Sequence, residues 1–268
     1  MKLFAESAER PSASKKRCTI YGASGFLGRN LVELLHDKYD LVTPSRMEAN
    51  VESVFPVISN VDVVINLVNA ENNLQVFQNI THYYDGKLIT IGSGAEYDHL
   101  LPIKNVKEDF DRKPFDAYGL GKYYVSKQAE IRKNVIVLRP FGVFGKYEDF
   151  NRRFISKAII DKMCEKPIVI YQDCKFSYVW VNDLVKIIDY FIEHDANHKF
   201  YNVGGHQITL KNIAKQIGPY KVFQGGNAPE YTCDDSRVCE ETGIKYTPFK
   251  EALKSLKEYY EIIEYNIL

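Results

Sequence analysis

The stretch Arg17-Cys-Thr-Ile-Tyr21 runs straight into Gly22-Ala-Ser-Gly25-Phe-Leu-Gly28, and Phe26 to His36 then repeats apolar residues at helical spacing. A buried strand, a glycine turn and a helix in that order leave few folds open. Gly22 permits the tight turn, Gly25 lets backbone N–H groups approach a pyrophosphate, and Gly28 lets the helix pack closely. The helix N-terminus then presents its positive end to phosphate. The candidate contact set in this loop is Gly22, Ser24, Gly25, Phe26, Leu27 and Gly28, and the expected ligand is a dinucleotide.

Further β-branched runs follow at Tyr39–Val42, Val61–Leu67, Lys87–Ile91 and Val135–Leu138, with helical composition over Tyr118–Lys133. Strands alternating with helices predict a Rossmann-like, doubly wound parallel α/β sheet covered on both faces. The later chain is mixed. Helices are expected at Phe154–Met163, Asp183–Glu193 (capped by Asn182 or Asp183), Leu210–Ile217 and Phe249–Tyr260. Strands are expected at Ile168–Tyr171, Tyr178–Val181 and Phe200–Val203. No Gly/Ser/Pro-rich linker separates the halves. The expected division is a flexible tail at 1–16, a nucleotide-binding domain from 17–145 and 172–205, and a small interleaved α+β C-terminal substrate lobe from 146–171 and 206–268.

Composition narrows the function. Lys+Arg and Asp+Glu are both 35, so no net field draws the chain to nucleic acid or an anionic membrane. At 45% apolar and 26% charged it is ordinary globular usage. The five Cys show neither a disulfide framework nor zinc spacing, and the six His do not cluster, so no metal is expected. Reduced thiols, no signal-peptide core and no membrane-length apolar run point to a cytoplasmic protein.

The second strand runs into Pro44-Ser45-Arg46, with no acidic residue at its end. An acid there reads a free ribose hydroxyl, whereas a cation reads a 2′-phosphate. Ser45 and Arg46 favour NADP(H) over NAD(H). Tyr118 and Lys122 stand four residues apart, one helical turn on one face. A neighbouring ammonium would lower a phenol's pKa and fit it for proton transfer. In a chain with 19 Tyr that spacing alone is a weak signal.

Taken together these motifs resemble the extended short-chain dehydrogenase/reductases, the NAD-dependent epimerase/dehydratase family, in its nucleotide-sugar branch. Ile91-Gly-Ser93-Gly-Ala-Glu-Tyr97 resembles the segment carrying the catalytic Ser or Thr. Leu138-Arg-Pro-Phe-Gly-Val-Phe-Gly145, Tyr178-Val-Trp-Val-Asn-Asp183-Leu and Tyr201-Asn-Val-Gly-Gly205 resemble three later family segments. The resemblance implies Ser93 on the reacting carbonyl oxygen, Tyr118 as proton donor, and Lys122 tuning Tyr118 while holding the ribose. It extends the cofactor set to Leu67 and Pro140, and implies substrate contacts from Gly94, Phe141, Arg153 and Lys175, with Arg152 a further phosphate candidate. Ser45 to Val51 is similar to a stretch in the GDP-fucose synthase group, which reinforces NADP(H) and adds Asn50 and Val51 near the adenine.

Departures from the family narrow the reaction. Gly94 and Ala95 stand where its dehydratases carry an acid and a base, and Glu96 is shifted along. Ala95 also replaces an epimerising Cys, and 151–158 lacks the accompanying His. Gly142 stands where Asn is frequent near the substrate phosphates, and Asp62–Ile91 is short, implying a trimmed helix. The expectation is an NADPH-dependent reductase of a nucleotide-linked 4-keto-6-deoxy sugar in deoxysugar biosynthesis, with a nucleotide sugar as partner and, by resemblance, a homodimer. A 4-epimerase with bound NAD and a non-catalytic NADP-binding sensor are the alternatives.

Overall fold

A computed structural model describes residues 15–45, 60–97, 102–224 and 230–267. Up to the site turn the chain runs β1 (Arg17–Tyr21), α1 (Phe26–Leu35), β2 (Asp40–Val42), β3 (Val63–Asn66), α2 (Ala70–Tyr83) and β4 (Lys87–Ile91). A short 3₁₀ turn, Gly94–Glu96, precedes β5 (Ile103–Val106), α3 (Ala117–Glu130), β6 (Val135–Pro140) and β7 (Gly142–Phe144). Next come α4 (Phe154–Met163), β8 (Ile168–Gln172), β9 (Lys175–Trp180), α5 (Val181–Glu193), β10 (Phe200–Val203) and β11 (His206–Thr209). The chain closes with α6 (Leu210–Lys215), β12 (Tyr220–Gln224), β13 (Tyr231–Cys233), α7 (Ser236–Thr242) and α8 (Phe249–Ile267).

The main sheet has the order β10-β6-β4-β3-β1-β2, with every neighbouring pair parallel. Its strands read as unbroken apolar runs because both faces are covered. One face buries Leu31 and Leu35 of α1 against Leu184, Ile188 and Phe191 of α5. The other buries Phe77 and Ile80 of α2 with Val125 and Ala129 of α3. Strand order reverses at β1, whose neighbours are β2 and β3. A crevice opens at such a switch point, beyond the carboxyl ends of the strands. The glycine turn lies there because it is the exit of β1.

A second sheet, β11-β9-β13-β5 with β7 also beside β9, packs next to a separate core that joins α4, α6 and α8. The division by chain segment therefore needs correction. β5, β7 and β9 come from the stretches 17–145 and 172–205, yet they pair in the smaller sheet, because among the described residues β9 bonds to β11, β13 and β7 and to no strand of the main sheet. Cross-strand pairing between distant segments leaves no local mark, so β5, β11, β12 and β13 were not foreseen either.

Element boundaries also differ, most at β9, α5 and α8. The strand expected at Tyr178–Val181 starts at Lys175, and Val181 already begins α5. Trp180 occupies the N-cap without a side-chain cap, so neither Asn182 nor Asp183 caps this helix. Asp183 lies in the first turn, wholly buried, and accepts hydrogen bonds from Thr247 N and Thr247 Oγ1 and an ion pair from Lys186, each at 2.8 Å. It ties α5 to the segment entering α8, which continues to Ile267. No helix among the described residues is long and apolar enough to cross a membrane.

Candidate active site

A cleft of about 700 Å³ lies between the carboxyl ends of β1, β3, β4 and β6 and the second sheet. Of the expected cofactor residues, Gly22, Gly25, Phe26, Leu27 and Gly28 line it, joined by Leu67, Lys122 and Pro140. Ser24 and Ser45 are exposed and do not line it. Arg46, Asn50 and Val51 lie outside the described residues. Gly25 is the N-cap of α1 and supplies no side-chain cap. Among the described residues no side chain caps the first amides of that helix, which begins at the cleft, a fit for a dinucleotide pyrophosphate.

Ser93 sits just beyond β4. Its hydroxyl accepts a hydrogen bond from Ala95 N at 3.1 Å, and Glu96 Oε1 accepts one from Ser93 N at 3.2 Å. This capping box fixes the turn. Glu96 is fully buried, and its other oxygen meets Arg139 Nε at 3.1 Å and a guanidinium nitrogen of Arg112 at 3.2 Å. Its charge is consumed in holding the turn, so it has no freedom to act on a ligand.

α3 delivers the other two groups. Asp116 caps it by accepting from Gly119 N at 2.6 Å. A Cβ at Gly119 would lie 2.2 Å from Ala95 O, so only glycine lets the helix approach the Ser93 turn this closely. The Tyr118 ring is half-exposed, and both Tyr118 and Ser93 line the cleft. Burial of the hydroxyl raises its pKa above the usual phenol value, opposed by the nearby Ser93 and the Arg153 charge. Lys122 is 3% exposed and donates to Ile91 O at 2.8 Å and Val68 O at 3.2 Å. Desolvation lowers its pKa to about 8, partly offset by Glu96. The charges of Arg153, Asp116 and Glu96 act on the Tyr118 phenol.

On the substrate side Phe141, Arg152 and Arg153 line the cleft as expected, with neither guanidinium in an ion pair among the described residues. Gly94 is buried immediately beneath it. Lys175 does not line it; that ammonium lies 3.9 Å from Glu230, and the preceding Cys174 lines the cleft instead. Successive side chains on a strand face opposite ways, and on β9 it is Phe176 and Tyr178, not Lys175, that line the cleft.

Sequence reasoning missed Glu148, Tyr178 and Tyr231, which also line the cleft. Glu148 is bonded by Ser156, and burial pushes its carboxyl up to about 7. Tyr178 and Tyr231 come from strands of the second sheet. Only Asp116 carried a local signal, an acidic residue just before a helix.

Residues 18–204 match the NAD dependent epimerase/dehydratase family. The chain belongs to this family. Within it, the chain is similar to GDP-6-deoxy-D-talose 4-dehydrogenase of Aggregatibacter actinomycetemcomitans, at 23% identity over 90% of this chain and 96% of that one. Its fold is similar to that of dTDP-glucose 4,6-dehydratase from Bacillus anthracis in complex with NAD, with TM-score 0.76, 17% identity and coverage of 92% and 96%. It is also similar to dTDP-4-dehydrorhamnose reductase from the same organism in complex with NADP, with TM-score 0.72, 18% identity and coverage of 90% and 98%. The epimerase/dehydratase family is one of nicotinamide-dependent enzymes, and the glycine loop, the α1 N-terminus and Lys122 border one continuous cleft in this member.

Proposed function

We propose that this family member is an NADPH-dependent reductase of a nucleotide-linked 4-keto-6-deoxy sugar, working in the cytoplasm in deoxysugar biosynthesis. The observation that carries the reading is that Ser93, Tyr118 and Lys122 border one cleft with the glycine loop. Gly94 and Ala95 bring no functional side chain, and Glu96 is locked by two arginines. The turn leaves Ser93 and Tyr118 to exchange one proton at a carbonyl oxygen and supplies, from Gly94 to Glu96, no group for elimination or for inversion at a neighbouring carbon. The similarity to a 4-dehydrogenase of a GDP-linked 6-deoxy sugar supports the same carbon and substrate class.

The residues divide the work. Backbone amides at the start of α1 bind the cofactor pyrophosphate. When bound, the nicotinamide supplies hydride, and the protein supplies position and electrostatics. Ser93 donates a hydrogen bond to the carbonyl oxygen, and Tyr118 delivers the proton to that oxygen as negative charge develops there. Lys122 holds the ribose hydroxyls. Arg152 and Arg153, with the uncapped N-terminus of α4, hold the substrate diphosphate. Ser45 and Arg46 select the 2′-phosphate. A homodimer through α2 and α3 belongs to the same reading, supported by the exposed Tyr83, Leu120 and Tyr124.

The test is absorbance of reduced nicotinamide with GDP- and dTDP-linked 4-keto-6-deoxy sugars. Net oxidation of NADPH, faster than of NADH, is expected. Isomerisation of nucleotide sugars without net oxidation would replace this reading with an epimerase, and tight NADPH binding without turnover would replace it with a sensor.

A further inference from the structure

Tyr231 comes from neither the main sheet nor α3, yet it reaches the reacting end of the cleft. Its backbone pairs with Ile103 on β5 and Phe176 on β9, which plants it in the second sheet. Its ring is packed between Phe141, with centroids 4.8 Å apart, and Phe176 at 5.9 Å. Its hydroxyl lies so close to Gly94 that a Cβ built there would stand 2.5 Å from Tyr231 Oη and 2.8 Å from Phe141 Cδ2. Gly94 directly follows Ser93. A side chain at this position would have to displace the phenol of another element, which already fills that space.

We propose that Tyr231 is a sugar-contacting residue that donates a hydrogen bond to an oxygen of the bound sugar beside the carbon held by Ser93 and Tyr118. The inference rests on the nucleotide-sugar reading above. Two rings fix the phenol, so little side-chain entropy is lost when it bonds a ligand. Burial, and then the nearby Tyr118, push its pKa well above the usual phenol value, so the hydroxyl stays neutral and able to donate. The wall around it is aromatic, with Phe141, Phe176 and Tyr178 all lining the cleft. Such a wall suits the apolar face of a sugar ring and leaves the phenol as the directional contact.

Comparing each sugar nucleotide with its bare nucleotide makes the inference separable from nucleotide binding, because Tyr231 sits against Gly94 at the Ser93 turn. Loss of the phenol should therefore weaken the hold on the sugar and spare the nucleoside diphosphate.

The experiment is equilibrium binding of GDP-mannose against GDP, and of UDP-glucose against UDP, to the NADPH-loaded wild type and to Tyr231→Phe. The expected result is ~3–10-fold weaker binding of the preferred sugar nucleotide, the worth of one hydrogen bond, with its bare nucleotide unchanged. Gly94→Ala, whose methyl must displace the phenol or Phe141, is expected to show the same selective loss. Equal weakening of sugar nucleotide and bare nucleotide, or no change in either, overturns the proposal. Failure of the wild type to bind either sugar nucleotide overturns the nucleotide-sugar reading together with the proposal. Selective loss in Tyr231→Phe without reduction of any keto sugar by the wild type would remove the reductase reading alone.

Discussion

Glu96 and Arg139 meet at 3.1 Å in the protein interior, one wholly buried and the other 1% exposed. The pair joins the turn after β4 to the end of β6, next to Ser93. Arg139 continues to the Tyr97 hydroxyl at 3.4 Å, and that hydroxyl donates to Asn202 on β10 at 2.9 Å. Three adjacent strands are thus linked by polar side chains directly under the candidate catalytic hydroxyls. An acid that looked like a displaced catalytic group serves instead to hold the site's floor.

Glu96→Gln removes the charge that compensates Arg139. Breaking a buried pair from one side leaves an unpaired buried charge, and a loss of about 3–5 kcal/mol is expected. Chemical denaturation measures it. The Ser93 turn loosens with it, so turnover should fall more than NADPH affinity. A stability change under 1 kcal/mol would show that Arg139 is satisfied without Glu96.

Tyr118→Phe should cut turnover by ~100-fold or more, as loss of a general acid does, while NADPH affinity stays nearly intact. Steady-state rates and cofactor titration separate the two. Undiminished turnover would remove Tyr118 from the mechanism.

Glu148→Gln should change how stability depends on pH. Burial raises the Glu148 carboxyl from 4.5 to about 7, so the folded state holds its proton where the unfolded state has lost it. That contribution is complete below about 4.5 and is lost as pH rises through about 7, on the order of 3 kcal/mol in all. The groups facing it are Arg153 and Ser156 from α4, Tyr178 from β9, Tyr260 from α8 and the neighbouring Asp149. The variant should gain on the wild type in thermal unfolding between pH 5 and pH 7.5. A constant difference across that range would mean Glu148 does not titrate there.

Arg46→Asp should weaken NADPH far more than NADH, because an acid repels a 2′-phosphate and accepts a hydrogen bond from a 2′-hydroxyl. Fluorescence titration with both cofactors tests it. Equal effects would place the 2′-phosphate contact elsewhere.

The sequence by itself determined the nucleotide half of this protein. β1, the glycine turn and α1 are consecutive, and helical spacing puts Tyr118 and Lys122 on one face of α3, so each signal is local and periodic. The tertiary structure decided the rest. Lys175 against Phe176 and Tyr178 turned on which way one strand faces. Asp183 looked like a helix cap and became a tether to Thr247, because its partner lies 64 residues away. Glu96 stands out of register with the dehydratase acids in the sequence, but only the structure shows the two arginines, from before α3 and from β6, that hold it. Tyr231 reached Gly94 only through a sheet assembled from five separated strands. Hydrogen bonds and packing between distant segments depend on how the layers close, and no spacing along the chain encodes that closure.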